Sequence, residues 1–262
     1  MNFLPTKCYF LLNCIINKFI KPKTMKNILF FLLLLPFALF SQDAPKTDLF
    51  VVLTLDVKNG MEDAFEAAVK AHNTEFHAVA PYTAKLYYNI NGPSGGMYSW
   101  IMGPMNYTAM DTRPKTDAHD DDWDKVTAMT NSVSSPSYWS MSSKLSQEVV
   151  GAPDSKRIIW MYDIKSGQSA RWAELVGKVK KVYTEKRPQE SIIVAWNEFE
   201  NTKVGNDVVI IFPFGKWSWM DRESTFGGEF EEVHGPGSWH NFLNDFNSTI
   251  NGRTDWLRTT IE

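Results

Sequence analysis

Five histidines are the side chains best suited by type to take up a proton or hold a metal ion: His72, His77, His119, His234 and His240. His234 and His240 bracket the run Gly-Pro-Gly-Ser-Trp, with Glu229, Glu231 and Glu232 just upstream. A histidine flanked by carboxylates suits metal ligation or general-base catalysis. The same residues in a polar loop can equally be solvated and inert. His119 lies among Asp117, Asp120, Asp121, Asp122 and Asp124. Asp120, Asp122 and Asp124 match the opening of a calcium loop, but Lys125 and Asn131 replace the required glycine and glutamate. The run therefore reads as the acidic first turn of a helix capped by Thr116 or Asp117. His72 falls on the apolar side of a helix as a packing residue, and His77 sits at that helix's end as a cation for the dipole. No metal site is assigned.

The sequence holds no G-x-S-x-G turn, no H-E-x-x-H, no Walker loop and no C-x-x-C. Gly235-Pro236-Gly237 lacks a third glycine and reads as a loop. No motif requires a cofactor, and no catalytic residue can be assigned.

Aromatic residues supply the second chemical signal, with 10 Trp in 262 residues. Strand alternation puts Tyr98, Trp100 and Met102 on one face, and Trp160 with Tyr162 on another. Tyr88-Asn89 and Trp196-Asn197 occupy matched places in the two halves of the chain. Facing a cavity, these aromatics and Asn197 would bind an apolar, aromatic or sugar ligand. Facing helices, they would be ordinary core. The candidate ligand-binding set is therefore Tyr88, Tyr98, Trp100, Trp160, Tyr162, Trp196, Asn197, His234 and His240.

The elements that must position these residues come in two similar series. Leu55-Asp56-Val57-Lys58-Asn59-Gly60 matches Tyr162-Asp163-Ile164-Lys165-Ser166-Gly167 at an offset of 107. Tyr107–Asp111 matches Trp217–Asp221 at an offset of 110, and Trp139 has a counterpart in Trp256. In the first half, strands are expected over 50–57, 86–91, 97–103 and 138–145, with helices after Gly60 and over 117–129. In the second, strands are expected over 158–164, 192–199, 208–214 and 255–261, with helices over 171–183 and 239–246. Each half reads as β-α-β-β-α-β, the ferredoxin-like order, over residues 48–150 and 155–262.

This order resembles the dimeric α+β barrel superfamily, with both halves carried by one chain. The resemblance implies an α+β fold of two repeats packed sheet to sheet, with a ligand pocket between the sheets. A second copy of the chain is not required. Members include antibiotic-biosynthesis-type monooxygenases and haem-degrading proteins, so a monooxygenase-like or haem-related enzyme is implied. The alternative is a non-catalytic module that holds a glycan or protein on surface aromatics.

Residues 1–41 read as a leader. From Met25, a lysine-flanked start precedes 13 apolar residues, Ile28–Phe40. A membrane span needs about 20, so the run suits a signal peptide cleaved after Ser41. The segment before Met25 reads as an upstream extension. Cleavage removes both cysteines and five lysines, and takes the formal net charge from −3 to −8. The expected product is a periplasmic or secreted protein without thiol chemistry, with no membrane attachment and a poor match for nucleic acid.

Overall fold

The computed structural model describes residues 48–113, 115–199 and 205–261. The expected leader lies outside these residues. The first half contains β1 (Leu49–Val57), α1 (Glu62–Phe76), β2 (Ala84–Asn89), β3 (Tyr98–Met105), α2 (Tyr107–Asp111), α3 (Asp117–Thr127), β4 (Thr130–Val133) and β5 (Ser137–Met141). The second contains β6 (Lys156–Ile164), α4 (Ser169–Lys186), β7 (Ile193–Asn197), β8 (Val208–Phe214), α5 (Phe226–His234), α6 (Ser238–Thr249) and β9 (Ile250–Ile261). Among the described residues, no helix is long and apolar enough to cross a membrane.

All strand pairings are antiparallel. Their order, β3-β2-β9-β6-β8-β7-β5-β1, closes because β1 also pairs with β3. The result is an eight-stranded α+β barrel, with β4 added beside β5 on the same edge of β1. Strands β5-β1-β3-β2 and β9-β6-β8-β7 follow the same spatial order in the two halves. The matched segments after β3 and β8 both form short helical turns, α2 and a 3-10 turn at Trp217–Trp219.

Helices cover the outer face of the barrel, so alternation divides the side chains into two cores. In the first half, Phe65 and Val69 of α1 pack on Leu55, Leu86, Tyr98, Trp100 and Met102. In the second, Trp172 and Val176 of α4 pack on Tyr162, Ile210 and Phe212. The opposite face turns inward, where Ile159, Ala195 and Val209 meet Trp139, Met161, Ile211 and Trp256.

This arrangement decides the orientation that alternation left open. Tyr88, Tyr98 and Trp100 belong to the first outer core, and Trp160, Tyr162 and Trp196 to the second. They face helices rather than lining a space between the sheets. Two further differences concern element boundaries. The strand expected over 138–145 ends at Met141, and β4 precedes it. Glu229, Glu231, Glu232 and His234 lie in α5 rather than in a polar loop.

Trp172 is fully buried, with Tyr162 and Trp196 packed against its ring. Replacing it by alanine is expected to remove about 3–5 kcal/mol of stability. Trp217 is 50 % exposed, and the same substitution there should stay within about 0.5 kcal/mol. Urea denaturation of the two variants checks the contrast.

Candidate functional site

The site is built where α1 ends. Phe65, Val69 and His72 are the buried residues of α1, spaced so that one stripe of the helix meets the sheet. The helix stops after Phe76. His77 leaves helical geometry at φ −129° and ψ 25°, while its N–H still donates to the Asn73 carbonyl. Five helical residues would place the two rings about 140° apart around the axis. The break at His77 instead brings its ring within 5.1 Å of His72, centroid to centroid.

The third ring comes from α3. Thr116 caps this helix by accepting the His119 backbone N–H at 3.2 Å. The cap sets the first turn, which places His119 5.0 Å from His72 and 5.5 Å from His77, centroid to centroid. One helical turn later, Trp123 packs on His72 at 4.9 Å and on Trp100 at 5.4 Å. Trp100 is held from behind, its indole N–H donating to Asn73 Oδ1 at 2.9 Å.

Each imidazole has its Nδ1 next to an oxygen. His72 Nδ1 lies 2.8 Å from Asp122 Oδ2, His77 Nδ1 2.9 Å from the Tyr82 carbonyl, and His119 Nδ1 2.9 Å from Asp120 Oδ1. A carbonyl or carboxylate oxygen can only accept, so Nδ1 carries the proton in all three rings. A neutral ring then presents a lone pair at Nε2. His77 Nε2 and His119 Nε2 stand 3.4 Å apart, and His72 Nε2 is buried without a hydrogen-bond partner. One ring nitrogen from each histidine lies within 4.8 Å of the others.

Burial keeps two of the rings neutral. It lowers the His72 pKa from its ordinary value, against the raising effect of the Asp122 hydrogen bond. It lowers that of His77 to about 4, against its hydrogen bond to the Tyr82 carbonyl. His77 therefore does not act as the expected helix-end cation at neutral pH.

The three rings form one wall of a cavity of about 190 Å³. Val51 and Leu53 of β1, Trp100 of β3, Tyr138 of β5 and Trp123 supply apolar and aromatic surface. Met110, Arg113 and Pro136 complete the lining. The cavity lies on the helix side of the first half's sheet, so the pocket expected between the sheets is not where this one opens. Its volume is below the roughly 300–1,000 Å³ that drug-sized ligands occupy, so a haem does not fit it.

Of the candidate ligand-binding set, Trp100 lines this cavity. Tyr98 packs on Phe65 and donates its hydroxyl proton to Glu66 at 2.6 Å, and Tyr88 packs edge-on to it. Trp160 packs on Phe212, with the Arg253 guanidinium 4.4 Å from its ring centroid. Asn197 ties a strand end, donating to the Asn206 carbonyl and accepting from the Phe199 N–H. His234 donates to the Lys178 carbonyl at 3.0 Å, whereas His240 is exposed beside Asn244. Nearby Glu229 and Glu232 bind Arg187, the C-cap of α4, and Lys186 in its last turn, each at 2.6 Å. The Arg187 hydrogen bond also holds the Glu229 carboxyl below its ordinary pKa. These polar groups join α5 to α4.

His72, His77, His119, Trp123 and Tyr138 were outside the candidate set. The sequence signal for them was slight: a histidine within an aspartate run, one turn before Asp122 and Trp123.

No family model matches the chain, and no curated protein matches it in sequence. Solved structures match in fold. A candidate monooxygenase from Lactobacillus acidophilus superposes at a TM-score of 0.54 and 10 % identity, covering 83 % of this chain and 95 % of that one. A second, from Fusobacterium nucleatum, gives 0.55 and 10 %, covering 82 % and 92 %. The chain thus has the dimeric α+β barrel fold, and at this identity the likeness concerns fold alone.

Replacing Asp122 by alanine leaves the buried His72 Nδ1–H unpaired and is expected to remove about 1–3 kcal/mol of stability. The exposed neighbour Asp121 should tolerate the same change within about 0.5 kcal/mol. Chemical denaturation of both variants tests the role given to Asp122.

Proposed function

We propose that this protein binds a small aromatic or comparably small apolar molecule in the cavity beneath α1 and α3. The observation that carries the reading is the cavity's mixed lining, in which indole, phenol and aliphatic groups stand together with three imidazoles. An apolar cavity of about 150 Å³ accommodates benzene, so about 190 Å³ suits a single ring with a small substituent. Arg113 at the lining favours a ligand with a carboxylate or phenolate group. The histidine wall is the reactive end, where nitrogen lone pairs can take a proton or hold a cation beside the ligand. Candidate monooxygenases with the same fold make an oxidative enzyme the first activity to assay.

The alternative, an interaction module built on surface aromatics, draws less support. Of the ten tryptophans, Trp217 alone is exposed. Export follows from the leader, with Gln42 as the mature N-terminus. N-terminal sequencing of protein from the native host tests this, and a chain still beginning at Met1 or Met25 would contradict it.

The binding test is a tryptophan-fluorescence titration with phenol, benzoate and catechol, with haem as the large control. Saturable quenching by at least one single-ring compound is expected, with no saturable haem uptake in the visible spectrum. Leu53→Trp should fill the cavity and abolish the quenching while circular dichroism shows the fold retained. Failure of all three compounds to bind, or unchanged binding to a folded Leu53→Trp variant, would overturn the reading.

A further inference from the structure

We propose that His72, His77 and His119 form a three-imidazole site for a divalent transition-metal ion, open toward the aromatic cavity. The inference stands on the histidines themselves, and metal uptake can succeed or fail independently of aromatic-ligand binding.

Tautomer chemistry gives the first argument. With protons on Nδ1, neutral rings present lone pairs at Nε2, and one ring nitrogen of each histidine lies within 4.8 Å of the others. Two of them, on His77 and His119, face each other at 3.4 Å. The third, on His72 Nε2, is shut away from any partner in a residue only 1 % exposed. An acceptor left unsatisfied in the interior costs about 1–3 kcal/mol. A cation at the centre satisfies all three lone pairs at once.

Distance gives the second. Metal–imidazole bonds of about 2.0–2.1 Å put two nitrogens of a tetrahedral site about 3.4 Å apart. The His77–His119 separation already has this value. The wider separations, up to 4.8 Å, close with side-chain movements of about 1 Å.

The surrounding groups give the third. Metal-bound histidines characteristically donate their other N–H to a carboxylate or carbonyl, which orients the ring and raises its basicity. Here Asp122, the Tyr82 carbonyl and Asp120 occupy those places.

The donor set indicates which ion belongs there. Imidazole suits zinc, iron, copper and nickel, whereas calcium and magnesium require oxygen ligands. Three protein ligands leave at least one coordination position free, as catalytic metal sites do. That position would meet a molecule held against Trp100 and Trp123.

The experiment uses the full chain, stripped with a chelator and titrated with Co²⁺ by visible absorbance and with Zn²⁺ by calorimetry. Elemental analysis gives the stoichiometry. One ion per chain is expected, with cobalt bands of low-coordinate nitrogen ligation. His119→Ala and His77→Ala should weaken binding at least 100-fold, Asp122→Asn by about 10–100-fold, and His240→Ala not at all. Because the buried His77 variant can fail to fold, the wild-type histidine ring-nitrogen NMR shifts provide a second readout. Zn²⁺ should move all three Nε2 signals. Absence of stoichiometric uptake, equal uptake by a folded His119→Ala variant, or unmoved Nε2 signals would each overturn the proposal.

Discussion

Barrel closure is the constraint on which the other features depend. Two pairings between the halves, β2 with β9 and β5 with β7, turn two four-stranded sheets into one continuous wall. They satisfy edge strands that would otherwise present unpaired backbone groups. They also bury one face of every strand, so the helices need cover only the other. Ile159, Val209 and Trp256 meet inside because the wall is closed, and α1 and α4 lie outside for the same reason.

The helical layer differs between the two halves. On the second half, α4 packs with α5 and α6, and Phe230, Phe242 and Trp239 join Leu175 and Val182 in a dense apolar cluster. Ring contacts run from Phe226 through Phe230 and Phe242 to Phe246. On the first half, the segment after β3 forms the short α2 and then α3, which begins with aspartates instead of phenylalanines. The cavity lies beneath this more polar cover. A similar strand order thus supports a packed interior on one side and a histidine-lined space on the other.

The strands and the barrel were legible because alternation and the matched Asp-x-Lys-x-Gly turns are local signals. The direction of Trp100 or Tyr162 was not, since both faces of a closed sheet with an outer helical layer are apolar. The histidine cluster was hidden for another reason. His72 and His77 fall on different sides of an ideal helix, and the termination at Phe76 that reunites them is a tertiary event. His119 arrives from 42 residues further on, positioned by the Thr116 cap and by the Asp122 contact. The acidic run does start a helix, yet Asp120 and Asp122 also hold imidazole rings.

Polar satisfaction separates this cluster from the rest of the interior. Four buried side-chain atoms have no hydrogen-bond partner among the described residues: His72 Nε2, Trp172 Nε1, Ser238 Oγ and Arg258 Nε. The Trp172 and Arg258 nitrogens are donors, and both side chains lie near aromatic rings, which tolerate positive N–H edges. Ser238 has a hydroxyl that can donate as well as accept. His72 Nε2 differs, because the proton on Nδ1 leaves it only a lone pair. Around it stand the rings of Trp123, His77 and His119, and none donates a hydrogen bond to that nitrogen. The strands and helices around it satisfy their own hydrogen bonds, so the local disagreement is confined to the wall of the cavity. Such confinement is where a folded chain carries function at the expense of local stability.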